Sequence, residues 1–183
     1  MAQWALVTGA TVGIGESFTR LLASKGYNIA LVARDEVRLH ERAGALREKY
    51  GIQTFVLPAD LATKGGVKSV EKYIQSYEIE VLINNAGFAI NKVFTASDLG
   101  DEQDLLNVLV RTPMRLMHVI LPGMKERKSG TIINVSSVAG FIAGGTYSAA
   151  KSYLTVLTES INADLKGSGV KVSALCPGFT RTE

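Results

Sequence analysis

Short apolar runs and longer amphipathic segments alternate along this chain from one end to the other. Runs rich in β-branched and aliphatic residues occupy 4–8, 28–33, 53–57, 81–84, 130–136 and 170–176. Their length and unbroken apolarity predict strands buried on both faces. Segments with helical spacing lie between them at 13–25, 35–50, 63–77, 101–125 and 147–166. A strand, a helix and a second strand in succession make a crossover, and a series of crossovers predicts a parallel sheet with helices on both faces. The expected fold class is therefore α/β, a doubly wound parallel sheet of six strands. No linker, repeat or shift in composition interrupts the pattern, so 1–183 reads as one domain.

Charge and composition exclude several functions. The 20 basic and 17 acidic residues are interspersed, for a net charge of +3, and no basic stripe is present for a nucleic acid or a membrane surface. Cys176 has no partner for a disulfide or a thiolate metal site, and His40 and His118 lie far apart on helical segments, so no metal is expected. Cys176 reads as a small apolar residue of the sixth strand. There is no apolar run of about 18 residues to span a bilayer. The first strand begins at once and runs into a glycine turn rather than a cleavage site, so a cytoplasmic protein is expected.

That turn is Thr8-Gly9-Ala10-Thr11-Val12-Gly13-Ile14-Gly15. Glycines between a strand and a helix let the backbone turn tightly and approach a pyrophosphate, while the helix N-terminus offers unpaired amides. Gly9, Thr11, Gly13, Ile14 and Gly15 are thus candidate dinucleotide contacts. In a sheet of this kind the end of the second strand selects the cofactor, an acid for the NAD ribose or an arginine for the NADP phosphate. Here it reads Ala33-Arg34-Asp35. Arg34 favours NADP over NAD; a solvated Arg34 with Asp35 as a helix N-cap is the structural alternative.

Tyr147 and Lys151 are four residues apart on a predicted helix and project from one face. A phenol titrates near 10, so acid–base work near neutrality asks for a depression worth about 4 kcal/mol. One charge at about 4 Å supplies about that much at an effective dielectric near 20. An ordinary surface pair has the same spacing.

The segment Thr-Gly-x-x-x-Gly-Ile-Gly resembles the cofactor loop of the short-chain dehydrogenase/reductase family. The rest of the chain carries matching segments in the family's order. These are Asp60-Leu61 after the third strand, Asn84-Asn85-Ala86-Gly87, Ser136-Ser137, Tyr147-x-x-x-Lys151, and Pro177-Gly178 with Thr182. The resemblance implies a Rossmann-type NADP(H)-dependent oxidoreductase that interconverts a carbonyl and a hydroxyl group on a small-molecule substrate. In it Tyr147 is the acid/base, Lys151 holds the nicotinamide ribose and Ser137 bonds the substrate oxygen. Asp60, Leu61, Asn85, Ala86, Gly87, Pro177, Gly178 and Thr182 join the cofactor site. A homodimer or homotetramer through helices 101–125 and 147–166 is also implied, and the first of these helices is apolar almost all round.

Two departures stand out. The stretch from Ser137 to Tyr147 is shorter than is usual in the family, which removes any basis for naming a substrate by analogy. The family's catalytic asparagine falls on Leu109, with Asn107 two residues early. Pro113, four residues after Leu109, has no amide to give to the Leu109 carbonyl and is expected to kink the helix. That would free the carbonyl to hold a water for Lys151 in the asparagine's place. The family also continues with a substrate-covering segment, a further helix and a seventh strand. The chain reads as cut short at Glu183, and a catalytically silent nucleotide-binding or dimerising fragment is the rival reading.

Overall fold

The computed structural model describes residues 3–180. Its strands are β1 (Trp4–Thr8), β2 (Asn28–Ala33), β3 (Thr54–Pro58), β4 (Ile79–Asn84), β5 (Gly130–Val135) and β6 (Val170–Leu175). All pair in parallel in the order β3-β2-β1-β4-β5-β6. This is the doubly wound Rossmann arrangement, and the winding reverses between β1 and β4, where the carboxyl ends of the strands open a crevice.

Alternation along each strand divides the core between two faces. Ala5, Val7, Ile29, Leu31, Val81 and Ile83 pack under α1 (Gly13–Ser24) and α2 (Glu36–Tyr50). Leu6, Ala30, Val32, Leu82 and Ile132 pack under the helices of the opposite face, beginning with α3 (Lys64–Ser76). Burying each valine, leucine or isoleucine among them contributes about 1.5–3 kcal/mol, which fixes the register of the strands. Asp35 is indeed an N-cap: its carboxylate accepts from the Arg38 amide at 3.0 Å.

The predicted helix 101–125 is three pieces: α4 (Leu99–Leu106), a π-helical turn (Asn107–Arg111) and α5 (Thr112–Glu126). Pro113 cannot donate into the helical ladder. The turn before it widens, so that the Thr112 amide reaches the Asn107 carbonyl five residues back. The break that Pro113 was expected to make in the helix thus takes the form of a widened turn. Leu105, Val108, Leu109, Leu116, Met117 and Ile120 are buried here. Leu106 and Met114 remain exposed, as do Tyr153 and Val156 of α6 (Gly145–Asp164), and the Tyr153 hydroxyl lies 3.4 Å from the Met114 sulfur. No described helix is long and apolar enough to cross a membrane.

β5 and β6 end one residue sooner than expected, leaving Ser136 and Cys176 beyond them. Cys176 is therefore not a strand residue of the core; it is half-buried near Thr155 and Lys151.

Candidate active site

The glycine turn is shaped by close approach. Gly9 has φ +65°, and a Cβ there would lie 2.7 Å from the Asn85 amide nitrogen; a Cβ on Gly15 would lie 2.0 Å from the Gly9 carbonyl oxygen. Any larger residue at either position would push the loop off β4. Gly15 is consequently a packing residue beneath the loop rather than part of the cleft wall. No side chain caps α1, whose N-cap is Val12, so its first amides stay open to an anion.

The loop is held by a network around Thr8. Its hydroxyl oxygen accepts from the amides of Asn85 at 2.9 Å and Ala86 at 3.0 Å and donates to the Ile83 carbonyl at 3.3 Å. The Asn85 side chain donates to the carbonyls of Thr8 at 3.0 Å and Gly9 at 3.1 Å. Asn85 was expected as a cofactor contact; its amide nitrogen is spent on bracing the loop. Arg42 adds a further brace, donating to the Thr11 carbonyl at 3.2 Å and pairing with Glu16 at 3.3 Å.

Two adjoining clefts open at the strand ends. One, of about 270 Å³, is lined by Gly9, Thr11, Arg34, Asp60, Leu61, Ala86 and Gly87 among others. Asp60 accepts from the Ala62 amide at 3.0 Å, and the Leu61 carbonyl accepts from the Thr112 hydroxyl at 2.9 Å. The Arg111 guanidinium donates to the Ala62 carbonyl at 2.8 Å, so the π-turn anchors the loop after β3. The other cleft, of about 370 Å³, brings together Gly9, Thr11, Gly13, Ile14, Asn85, Ala86, Gly87, Ser137, Tyr147, Lys151, Pro177 and Gly178. Thr182 lies outside the described residues.

Ser137 caps a 3-10 turn (Val138–Phe141), and its oxygen accepts from the Ala139 amide at 3.1 Å. The hydroxyl proton is left to donate into the cleft. The Val138 amide donates to the Pro177 carbonyl at 3.1 Å, tying the segment after β6 to this turn. Tyr147 and Lys151 share a face of α6, with the Lys151 nitrogen 5.6 Å from the centroid of the Tyr147 ring. Lys151 is only 4% exposed and donates to the Val135 carbonyl at 2.6 Å. Burial pushes its ammonium down to about 8, while Cys176 pulls the other way. Sequence arithmetic had treated this lysine as a fixed charge; burial makes it a group that can exchange its proton near neutrality. Ser136 steadies this part of α6 by bonding the Lys151 carbonyl at 2.9 Å.

Behind Lys151 lies a small cavity of about 10 Å³, with Asn84, Leu109, Thr112 and Pro113 in its wall. That is room for about one water. The Asn84 side chain donates to that of Asn134 at 2.8 Å, and its own Oδ1 is buried without a partner among the described residues.

Thr8, Arg42, Arg111 and Thr112 are residues that the sequence reading passed over. Only the Thr-Gly at the start of the loop carried a signal for Thr8; the other three act through contacts 31 to 51 residues away in the chain.

The chain as a whole has counterparts among known proteins. Residues 3–183 match the short chain dehydrogenase family, and the chain belongs to that family. It is 31% identical over 191 residues to a very-long-chain 3-oxoacyl-CoA reductase from Anas platyrhynchos, covering 100% of this chain and 61% of the relative. It is also 31% identical to the human inactive hydroxysteroid dehydrogenase-like protein 1, covering 98% of this chain and 56% of that one. A short-chain dehydrogenase from Sphingobium yanoikuyae, solved with NADPH, superposes with a TM-score of 0.96 at 34% identity, over 99% of this chain and 72% of that one. The chain thus spans about 60% of the length of such curated relatives.

Proposed function

We propose that this chain is the cofactor-binding and catalytic part of an NADP(H)-dependent oxidoreductase that interconverts a carbonyl and a hydroxyl group. The observation that carries this reading is the convergence of Ser137, Tyr147, Lys151 and the glycine turn on one cleft. The glycine cradle, the uncapped start of α1 and the presence of Arg34 and Asp60 on the wall of one cleft fit a dinucleotide. Gly9, Thr11, Gly13 and Ile14 would hold its pyrophosphate, and Arg34 a 2′-phosphate. When bound, the cofactor supplies or accepts the hydride.

In reduction, Ser137 donates a hydrogen bond to the substrate carbonyl oxygen and Tyr147 gives it the proton. Lys151 lowers the cost of the phenolate through its charge and releases or regains its own proton near pH 8. The water-sized cavity behind Lys151 gives that proton a path. Pro113 leaves a π-turn carbonyl without its usual donor there, so backbone at Leu109 serves where the family has an asparagine. Oxidation runs these steps backwards.

Exposed Leu106, Met114 and Val156 support a homo-oligomer through α4, α5 and α6, which sedimentation as a micromolar monomer would exclude. Likeness to a human relative described as inactive favours a second reading, a silent nucleotide-binding chain. NADPH consumption across ketones and aldehydes graded in size decides between them. Turnover that Tyr147→Phe reduces more than about 100-fold, with NADPH still bound, supports the enzyme. NADPH binding with no consumption of any substrate supports the silent chain.

A further inference from the structure

Asn84 ends β4 on the face that also carries Leu82, only 6% exposed and directly across from the fully buried Asn134 of β5. Amides in a sheet interior are costly unless each polar atom is paired, so their bonds can be followed atom by atom. The Thr158 hydroxyl spends its proton on the Leu154 carbonyl at 2.6 Å, and toward Asn134 it can only accept. The Asn134 amide nitrogen donates to it at 2.8 Å and lies 3.2 Å from the Met117 sulfur. The Asn134 oxygen is thereby turned to β4, where the Asn84 amide nitrogen donates to it at 2.8 Å. One chain of donors fixes the orientation of both amides. The Asn84 Oδ1 is what remains, buried and without a partner among the described residues.

A buried acceptor left unpaired costs about 1–3 kcal/mol, a cost that an apolar pair at positions 84 and 134 would avoid. Asn84 stands in the wall of the cavity of about 10 Å³ behind Lys151. The hydroxyls of that wall are committed elsewhere: Thr8 donates to the Ile83 carbonyl at 3.3 Å and Thr112 to the Leu61 carbonyl at 2.9 Å. Lys151 is not fully committed. Its ammonium has three protons, of which one goes to the Val135 carbonyl. The wall thus combines a donor with protons to give and an acceptor that has received none, around a space the size of one water.

We propose that this cavity binds a water that donates to Asn84 Oδ1, which makes Asn84 a positioning residue for the lysine's proton. The water accepts from the Lys151 ammonium, with one proton on Asn84 and the other on the π-turn backbone that Pro113 leaves without a donor. When Lys151 has passed a proton to Tyr147, the water pivots on Asn84 and gives its second proton to the lysine nitrogen. Bulk solvent replaces the proton handed over, so no further reactant is needed. The effect on turnover rests on the oxidoreductase reading above; the water site does not.

A crystal structure of the cofactor-free wild type is expected to show an ordered water within hydrogen-bond distance of both Asn84 Oδ1 and Lys151 Nζ. A dry cavity, or a water bonded to backbone alone, overturns the site. Wild type, Asn84→Val and the double variant Asn84→Val/Asn134→Val are then compared in NADPH-linked reduction of whichever ketone is turned over fastest. Both variants are expected to lose about tenfold in kcat, with KM and NADPH affinity within about twofold of wild type, and to show a larger solvent deuterium effect on kcat. The double variant leaves neither amide unpaired, so it carries the test if Asn84→Val fails to fold. It also separates a structural role from this one: kcat restored in the double variant overturns the positioning role, as does a kcat and solvent effect equal to wild type in either variant. A wild type that reduces no ketone overturns the positioning role together with the oxidoreductase reading, and the crystal structure alone then decides the water site.

Discussion

Lys151 donates to the carbonyl of Val135 at 2.6 Å from a position almost closed to water. The strand end and the helix are thus joined by a charge that the fold itself disfavours. Unfolded, this lysine titrates near 10.5; folded, near 8. The unfolded chain holds the extra proton between those values, so stability rises with pH across that window and the full penalty remains below it. The penalty at neutral pH is about 3 kcal/mol. Removing the bond to Val135 costs about 1 kcal/mol. Lys151→Met is therefore expected to stabilise the cofactor-free chain by about 2 kcal/mol at neutral pH and to flatten the rise toward alkaline pH. Denaturant unfolding at several pH values checks this, and a less stable variant would refute it.

Thr8→Val removes one hydroxyl from the shape of the loop and leaves the amides of Asn85 and Ala86 without their acceptor. Unpaired amides at a site only 2% exposed cost about 2 kcal/mol together. The loop then loses its brace on β4, so NADPH affinity is expected to fall along with stability. Calorimetric titration beside a melting curve separates the two effects. A melting temperature equal to that of the wild type would contradict the network's importance.

Arg34 faces the cleft shared with Asp60. A charge-assisted bond to a 2′-phosphate contributes about 1.5–3 kcal/mol, so Arg34→Ala is expected to weaken NADPH binding about 10- to 100-fold. NADH binding has no such contact to lose and is expected to stay within about threefold. Equal losses for both nucleotides would mean that Arg34 only shapes the loop.

Pro113→Ala restores an amide donor to the π-turn. The expected result is a chain at least as stable, with turnover reduced about tenfold and NADPH affinity unchanged. Turnover equal to wild type would remove the backbone route past Leu109.

Much of this was legible in the residues because the pattern is local. Each strand is a run of aliphatics ending where a turn begins, and the glycine loop and the Tyr147–Lys151 spacing each lie within one strand–helix unit. Their convergence followed from topology, since the strand ends of a doubly wound sheet share one edge. The π-turn was harder: Pro113 announced a break in the ladder, but whether a helix kinks or widens depends on what packs around it. The burial of Glu102 beside Ser97 was invisible, because a glutamate near a helix N-terminus ordinarily faces water. The depressed titration of Lys151 was likewise beyond a reading that counts charges without knowing their depth.

The reversal of winding between β1 and β4 also divides the labour of the chain. Arg34 and Asp60 precede that reversal, and Ser137, Tyr147 and Lys151 follow it. Under the proposed oxidoreductase reading, nucleotide preference and carbonyl preference are therefore written in separate stretches of the sequence, joined physically by the Thr8–Asn85 stitch. Exchange of one stretch for another would then alter one preference while keeping the other.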